Sequence, residues 1–315
     1  MEYKILQGDA LEVLQTMESN SIDCCITSPP YFNLRDYGME KQIGLEKTPQ
    51  SYIGKLVSVF KEVKRVLKPD GTLWVNIADS YAGSGKGAAV YEAKGLQKTN
   101  IGSTTSPQIA KCKWGGVRPK NLIGIPWMLA FALRDEVGFN LRQDIIWAKP
   151  NPMPESVKDR CTKAHEYIFL FSKNKKYYYD AEAIKEPAIS KKDKRMGLGR
   201  LHYRGKRETK QNLLQSNFVA IYEKRNKRDV WSVSVKPFKE AHFATFPPEL
   251  IEPCVKAGCR TNGTVLDPFV GAGTTGIVAL ENNKNFIGIE LNPKYCELSK
   301  KRLENKMEKL KKECN

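Results

Sequence analysis

The stretch Val265-Leu-Asp-Pro-Phe-Val-Gly271-Ala-Gly273-Thr-Thr-Gly276 passes from a short apolar segment through a glycine-rich turn into a helical pattern. It predicts a strand over 264–267 and a helix from about Thr275. Gly271 and Gly273 let the backbone approach a ligand closely, and the free N–H groups at the start of the helix can face it. Since another strand is predicted over 285–290, the region is a strand–turn–helix–strand unit.

Two acidic residues accompany this turn. Asp267 stands at a strand tip, where it can accept a hydrogen bond from a cationic or amine group, and Glu290 ends the next strand, where it can hold both hydroxyls of a ribose. The spacing also matches the dinucleotide fingerprint, so a nicotinamide or flavin enzyme is one alternative. The four residues Asp-Pro-Phe-Val before Gly271 disfavour it, because the dinucleotide turn begins almost at once after its strand.

Strand and helix patterns alternate along the rest of the chain. Strands are predicted at 3–6, 22–27, 72–77, 141–148 and 166–172, and helices at 10–17, 51–67, 126–136 and from 293 onward. The helix over 51–67 is predicted to stop at the turn 69–71. This order predicts an α/β fold with a doubly wound, mostly parallel sheet. Ligands of such sheets bind beyond the carboxyl ends of the strands, so the loops after Thr27 and Asp267 are the candidate site.

A second motif follows the predicted strand 22–27. Ser28-Pro29-Pro30-Tyr31 places two consecutive prolines at the strand's carboxyl end, and their fixed backbone angles make the loop rigid. The Ser28 hydroxyl and the carbonyls of Ser28 and Pro29 are its acceptors, and Tyr31 adds an aromatic face. Such a loop can bind an –NH₂ group while the ring stacks on a flat heterocycle.

The positive charge is concentrated in two segments. The chain of 315 residues carries a net charge of +17. Residues 185–236 contain 15 basic and 5 acidic residues, and the glycine-rich segment 80–125 contains 7 basic and 1 acidic residue, whereas the remainder is nearly balanced. Charge confined to two polar insertions indicates a surface that faces a polyanion, and nucleic acid is the natural partner. A non-catalytic DNA-binding module is a second alternative.

Other classes are disfavoured by composition. No apolar run is long enough for a membrane helix, and the first residues lack the apolar core of a signal peptide, so we expect a cytoplasmic, nucleoid-associated protein without a membrane partner. The 8 cysteines show no Cys-x-x-Cys and no zinc-ligand spacing, which predicts reduced thiols and no metal site. Cys254 follows a proline, as the nucleophile of cytosine-C5 methylation does, but its helical surroundings predict a core position.

Thr27-Ser-Pro-Pro-Tyr31 together with Asp267-Pro-Phe-Val-Gly-Ala-Gly-Thr-Thr275 resembles the motifs of the amino-methylating DNA methyltransferases, in the order found in the β group of that family. The resemblance extends from Gly8-Asp9 to Glu290. It implies a Rossmann-like sheet of the S-adenosylmethionine methyltransferase type, with permuted motif order and a basic insertion. It also implies S-adenosylmethionine as cofactor and double-stranded DNA as partner.

The resemblance assigns roles to individual positions. Glu290 corresponds to the acid on the cofactor ribose, and Asp9 and Ala10 to the motif at the cofactor adenine. Two segments correspond to those that hold the methionine part of the cofactor, namely Asp267, Phe269, Gly271, Gly273, Thr274 and Thr275 in the glycine turn, and His242, Ala244, Phe246 and Pro247 before it. Ser28, Pro29, Pro30 and Tyr31 correspond to the catalytic tetrapeptide. Segments 147–152 and 162–167 resemble those lining the target-base pocket.

The resemblance also indicates the target and the domains. Serine in the first tetrapeptide position is more common in N4-cytosine enzymes and aspartate in N6-adenine enzymes, so we expect transfer to cytosine N4 in duplex DNA after base flipping, with adenine N6 as the alternative. Residues 1–184 and 237–315 are the predicted catalytic domain, with loop 80–125 inserted, and 185–236 the target-recognition region. A cognate restriction endonuclease and a homodimer are further expected partners. An RNA or protein methyltransferase stays open.

Overall fold

The computed structural model describes residues 1–83, 116–188, 195–196, 219–220, 223–236 and 246–313. They divide into two compact units, residues 1–180 with 229–315 and residues 181–228. The first unit contains eight strands, which are β1 (Tyr3–Gln7), β2 (Ile22–Thr27), β3 (Leu67–Ile77), β4 (Asn140–Ala148), β5 (His165–Ser172), β10 (Val230–Ser232), β11 (Thr264–Asp267) and β12 (Asn285–Glu290). Its helices are α1 (Ala10–Thr16), α2 (Pro49–Val66), α3 (Ile125–Asp135), α4 (Pro248–Gly258), α5 (Thr274–Glu281) and α6 (Pro293–Glu313).

The eight strands form one sheet in the order β1-β12-β11-β2-β3-β5-β4-β10. Within the described part of the chain, only β5 runs antiparallel to its neighbours in this sheet. The sheet is therefore mostly parallel, as predicted. Its reversed strand has one consequence for the site: the amino end of β5 lies at the same edge as the carboxyl ends of the parallel strands.

Helices cover both faces of the sheet. Leu73, Val75 and Ile77 of β3 belong to the buried cluster formed with α2 and α3. The alternate residues of β3 point to the opposite face of the sheet, where α4 packs. Trp74 shows this contact, since a Cβ on Gly258 of α4 would lie 2.6 Å from its indole nitrogen. This alternation confirms the doubly wound α/β fold.

The connection between α2 and β3 differs from its prediction. A turn was expected at 69–71, but α2 ends at Val66 and β3 begins at Leu67. Leu67 pairs with Ile22 of β2, and an irregularity in the register between Ile22 and Cys24 accommodates Pro69. The turn signal was overridden because neighbouring backbone bonds hold this segment extended: the carbonyl of Gly71 accepts from Lys173 N at 3.1 Å.

The described residues of the second unit form short elements. They are a 3₁₀ turn at Glu182–Ile184 and the two-residue strands β6 (Glu186–Pro187), β7 (Arg195–Met196), β8 (Val219–Ala220) and β9 (Lys224–Arg225). β6 pairs with β9, and β7 with β8. The unit ends at Arg228, and β10, which follows it in the chain, pairs with β4 in the main sheet.

No helix among the described residues is both long enough and apolar enough to cross a membrane.

Candidate active site

The carboxyl ends of β1, β12, β11 and β2 lie side by side in the sheet. They bring together segments that are far apart in sequence, and Thr27 Oγ1 at the end of β2 donates to Asp267 Oδ1 at the end of β11 over 2.7 Å. One cavity opens above these strand ends. Ser28 to Tyr31 line it, and so do Asp9, Asp267, Gly271 and Glu290. The two motifs singled out in the sequence therefore share one cavity.

The glycine turn has the backbone that its sequence requires. Gly271 and Gly273 have φ angles of +51° and +80°, which side-chain-bearing residues rarely adopt. Gly273 is also the N-cap of α5, and a Cβ there would lie 3.1 Å from Ser299 Cβ. At Gly271, by contrast, the nearest atom among the described residues would be the Phe269 carbonyl oxygen at 4.0 Å. The turn thus leaves space above its backbone on the cavity side.

Asp267 is the buried anion of this turn. It is 2% exposed and accepts from the hydroxyls of Thr27 and Thr275, the latter at 2.6 Å, and from Phe269 N at 3.1 Å. Burial raises the pKa of its carboxyl to about 6, although these three hydrogen bonds favour the ionised form. A cation in the cavity would stabilise the carboxylate, so the residue is suited to a positively charged ligand.

Glu290 is held by backbone N–H groups on both sides. Its Oε2 accepts from Gly271 N at 2.9 Å and its Oε1 from Asn292 N at 2.8 Å. Burial raises the pKa of this carboxyl, and the same two bonds oppose the shift. Because each carboxylate oxygen has a second lone pair, the group can still accept from two neighbouring hydroxyls, as a ribose presents them.

Asp9 and Ala10 lie at the end of β1, on the far side of Glu290. Both line the cavity, and Asp9 also caps α1, since its Oδ1 accepts from Leu11 N at 2.9 Å. Two tyrosines that the sequence analysis did not single out, Tyr37 and Tyr295, line the same part of the cavity. Burial raises the pKa of both, for Tyr295 to about 12. These two tyrosines give the cavity an aromatic surface suited to a flat ring such as adenine.

The proline loop, residues Ser28 to Tyr31, is held in place by contacts with the rest of the protein. Pro29 is buried, and the Pro30 carbonyl accepts from the Tyr52 hydroxyl at 2.8 Å. Ser28 and Tyr31 are half-buried and face the cavity. The rigid acceptor loop predicted from the two prolines is therefore also anchored to α2.

A polar cluster lies behind Tyr31. It includes Lys149 and Glu166, from the two segments 147–152 and 162–167 that the resemblance assigned to the target-base pocket, and Asn76, which was not predicted. The Tyr31 hydroxyl lies 2.7 Å from Glu166 Oε2 and 3.1 Å from Asn76 Oδ1, and Lys149 forms an ion pair with Glu166. Burial, followed by the charge of Glu166, raises the pKa of Tyr31 well above its usual value. A signal was present in the sequence, because Glu166 and Asn76 each interrupt an apolar strand.

The other predicted residues divide into three groups. Phe246, Phe269 and Thr274 line the cavity. Gly273, Thr275 and Pro247 act beneath or beside it, since Thr275 holds Asp267 and Pro247 is the N-cap of α4. His242 and Ala244 lie outside the described residues. Cys254 is fully buried in α4, which agrees with its predicted core position.

A family model described as DNA methylase, covering both N6 and N4 enzymes, matches residues 22–301. The chain belongs to this DNA methylase family. Among its relatives is the Type II methyltransferase M.XycI of Xanthomonas campestris pv. cyanopsidis, which is 45% identical over 95% of this chain and 87% of its own. The chain is thus a DNA methyltransferase of the N6/N4 family with Type II relatives, of the kind found in restriction–modification systems.

Solved structures agree on the fold. The cytosine-N4-specific PvuII DNA methyltransferase superimposes with a TM-score of 0.61 at 21% identity, covering 95% of this chain and 85% of its own. A DNA modification methylase of Thermus thermophilus, in complex with S-adenosyl-L-methionine, gives 0.57 at 23% identity, covering 97% and 96%. The methylase family uses S-adenosylmethionine. The cavity suits this cofactor, because its lining includes the buried Asp267, the hydroxyl acceptor Glu290 and the aromatic rings of Tyr37 and Tyr295.

Proposed function

We propose that this methylase transfers the methyl group of S-adenosylmethionine to the exocyclic N4 of cytosine in duplex DNA, with adenine N6 as the alternative target. The observation that carries the proposal is the single cavity lined both by Ser28 to Tyr31 and by the glycine turn. The Thr27–Asp267 hydrogen bond ties the two halves together. A nicotinamide enzyme would need the glycine turn but not the proline loop.

The cofactor residues follow from the chemistry of the cavity. S-adenosylmethionine, when bound, supplies an electrophilic methyl carbon on a positively charged sulfur. Asp267 would face its cationic methionine part, and Glu290 its ribose hydroxyls. Further contacts come from residues that line the cavity or border it: Asp9 and Ala10 at the adenine, and Phe269, Gly271, Gly273, Thr274 and Thr275 at the methionine. From the segment before α4 we assign His242, Ala244, Phe246 and Pro247 to the methionine end.

The acceptors of the proline loop make the target amine reactive. Its nitrogen lone pair is delocalised into the ring of the base, so the amine is a weak nucleophile. Hydrogen bonds from its two N–H groups to the Ser28 hydroxyl and the Pro29 carbonyl favour tetrahedral nitrogen and stabilise the developing positive charge. One such preorganised group contributes about 3 kcal/mol. Transfer is direct, so the enzyme forms no covalent bond to the base and Cys254 takes no part.

The base must leave the helix to reach this loop. An exocyclic amine is not accessible inside stacked, paired DNA, so the target nucleotide is extruded and stacks on Tyr31. Cytosine is favoured because a neutral serine occupies the first tetrapeptide position. A solved protein with this fold, the PvuII enzyme, is cytosine-N4-specific.

The basic segments complete the DNA-binding assignment. Residues 185–236, with 15 basic and 5 acidic side chains, are the proposed target-recognition region. Their charge suits the phosphate backbone, whose contacts supply the sequence-independent part of affinity. A cognate restriction endonuclease and a homodimer stay predictions.

The test is the identity of the methylated base. Unmethylated duplex DNA is incubated with the protein and labelled S-adenosylmethionine, then digested to nucleosides and separated by mass spectrometry. We expect N4-methylcytosine from the wild type and from Cys254→Ala, and strong loss of product in Ser28→Ala. Formation of N6-methyladenine instead would mean that the enzyme methylates the alternative target, adenine N6. Full activity of Ser28→Ala would overturn the role of the proline loop.

A further inference from the structure

Glu166 is a carboxylate at the start of an apolar strand. It is 9% exposed, and Tyr-Ile-Phe-Leu-Phe follows it in β5. A carboxylate in such a place loses most of its hydration, which is costly unless partners replace the water. An apolar residue would fill a purely structural position at lower cost. The question is therefore what the charge does.

The two oxygens of Glu166 have different partners. Oε1 forms the ion pair with Lys149, and both side chains are less than 20% exposed. Oε2 accepts from the Tyr31 hydroxyl at 2.7 Å and from Asn76 Nδ2 at 3.2 Å. One oxygen is thus neutralised by a cation, and the other faces the tyrosine of the proline loop.

The direction of the hydrogen bonds follows from counting protons. A tyrosine hydroxyl has one proton, and its short contact with a carboxylate takes that proton in preference to the 3.1 Å contact with the Asn76 amide oxygen. The Tyr31 oxygen is then an acceptor for Ser28 Oγ, which lies 3.4 Å away. Since Ser28 also has only one proton, its lone pairs are left to face the cavity.

We propose that Glu166 is a positioning residue that fixes the direction of the chain Ser28→Tyr31→Glu166, so that Ser28 meets the target amine only as an acceptor. This inference rests on the proposed function, in which that amine receives the methyl group. A neutral or amide side chain at 166 could donate to Tyr31. Tyr31 could then donate to Ser28, and the Ser28 proton would point at the N–H groups it must bind.

Lys149 stabilises this direction of the hydrogen-bond chain from Ser28 to Glu166. Its ammonium group supplies the counter-charge for Glu166 Oε1 and leaves Oε2 to accept from the Tyr31 hydroxyl. Without this cation the buried carboxylate is uncompensated, and the acceptor end of the hydrogen-bond chain is no longer held in place.

The experiment compares Glu166→Gln, Tyr31→Phe, the double variant and Lys149→Met. A matched control is Glu252→Gln, which removes a glutamate from an exposed lysine pair on α4. For each we measure kcat and KM with duplex DNA, the Kd of S-adenosylmethionine and the melting temperature. Glu166→Gln should lower kcat about 10- to 100-fold with an unchanged cofactor Kd. The double variant should be no slower than Tyr31→Phe, and Lys149→Met should lower kcat in the same direction as Glu166→Gln, again with an unchanged cofactor Kd.

Three results would overturn the inference: a wild-type kcat in Glu166→Gln, independent losses in the double variant, or a wild-type kcat in Lys149→Met. The last decides alone if Glu166→Gln does not fold. Formation of N6-methyladenine by the wild type would refute the target base but not the inference, because that amine also donates two N–H bonds. No methyl transfer to DNA by the wild type would overturn both.

Discussion

Replacing Asp267 by asparagine should stabilise the protein and weaken cofactor binding at the same time. The side chain is 2% exposed, and burial raises its pKa from 3.8 to about 6. A shift of about 2 units corresponds to about 3 kcal/mol of free energy lost from the folded state when the carboxyl ionises. Asparagine has the same shape and never ionises: its Oδ1 can accept from the Thr27 hydroxyl and from Phe269 N, and its Nδ2 can donate to Thr275 Oγ1.

The sign follows from the raised pKa. The folded protein holds this proton to higher pH than the unfolded chain, so the stabilisation is complete below about pH 4 and falls as the pH rises through 6. The free energy of unfolding of the wild type should therefore fall relative to Asp267→Asn by about 3 kcal/mol between pH 3 and 8. About half of that change, roughly 1.5 kcal/mol, lies above pH 5.

The assay is urea unfolding at several pH values from 5 to 8, paired with calorimetric titration of S-adenosylmethionine at pH 8. The cofactor Kd of Asp267→Asn should rise at least about tenfold, because a cationic ligand loses its buried counter-charge. Asp135→Asn is the control, since Asp135 lies at the exposed end of α3 and Arg134 lowers its pKa, so this carboxyl is ionised in both the folded and unfolded states from pH 5 to 8 and its replacement should leave the pH dependence unchanged. Parallel pH curves for wild type and Asp267→Asn, or an unchanged Kd, would refute the reasoning.

Two further predictions concern packing and thiol access. Gly276→Ala in α5 should lower the free energy of unfolding by about 1–3 kcal/mol in thermal or urea unfolding, because its Cβ would lie 2.6 Å from the Phe286 ring. Gly54→Ala in α2 should raise that free energy by up to about 1 kcal/mol, because its Cβ would meet no described atom within 4 Å, and equal effects of the two variants would contradict the packing. Burial holds the thiol pKa of Cys24 well above its usual value, whereas Cys161 is exposed. Mass spectrometry after brief alkylation should therefore find Cys161 labelled in the native protein and Cys24 labelled only in denaturant. Rapid labelling of Cys24 in the native protein would refute its burial.

The parts of the site that local sequence encodes were predicted. Glycines at positive φ, a carboxylate at a strand tip and two prolines after a strand each have a local physical meaning, so the turn around Gly271 and the loop at Ser28 were placed at the correct sheet edge. Their meeting in one cavity confirms the α/β order from which it was predicted.

The parts that depend on strand order were not predicted from local patterns. Segment 162–167, which contains Glu166, was assigned to the target-base pocket by resemblance alone. Glu166 lies beside Tyr31 because β5 is reversed in the sheet, and no local pattern gives the direction of a strand. Tyr37 and Tyr295 reach the cavity from a loop and from α6, outside any motif. The turn expected at 69–71 failed for a similar reason, since pairing between Leu67 and Ile22 outweighed local turn preference.

The bond between Thr27 and Asp267 joins residues 240 positions apart, and β11 is inserted between β2 and β12. During synthesis the ribosome therefore releases Ser28 long before the strand that must lie beside it. Contacts this distant in sequence make folding slow, because a long loop must close before they form. A newly made molecule cannot methylate DNA until translation has passed Glu290, which sets a delay between the start of translation and the first methyl transfer.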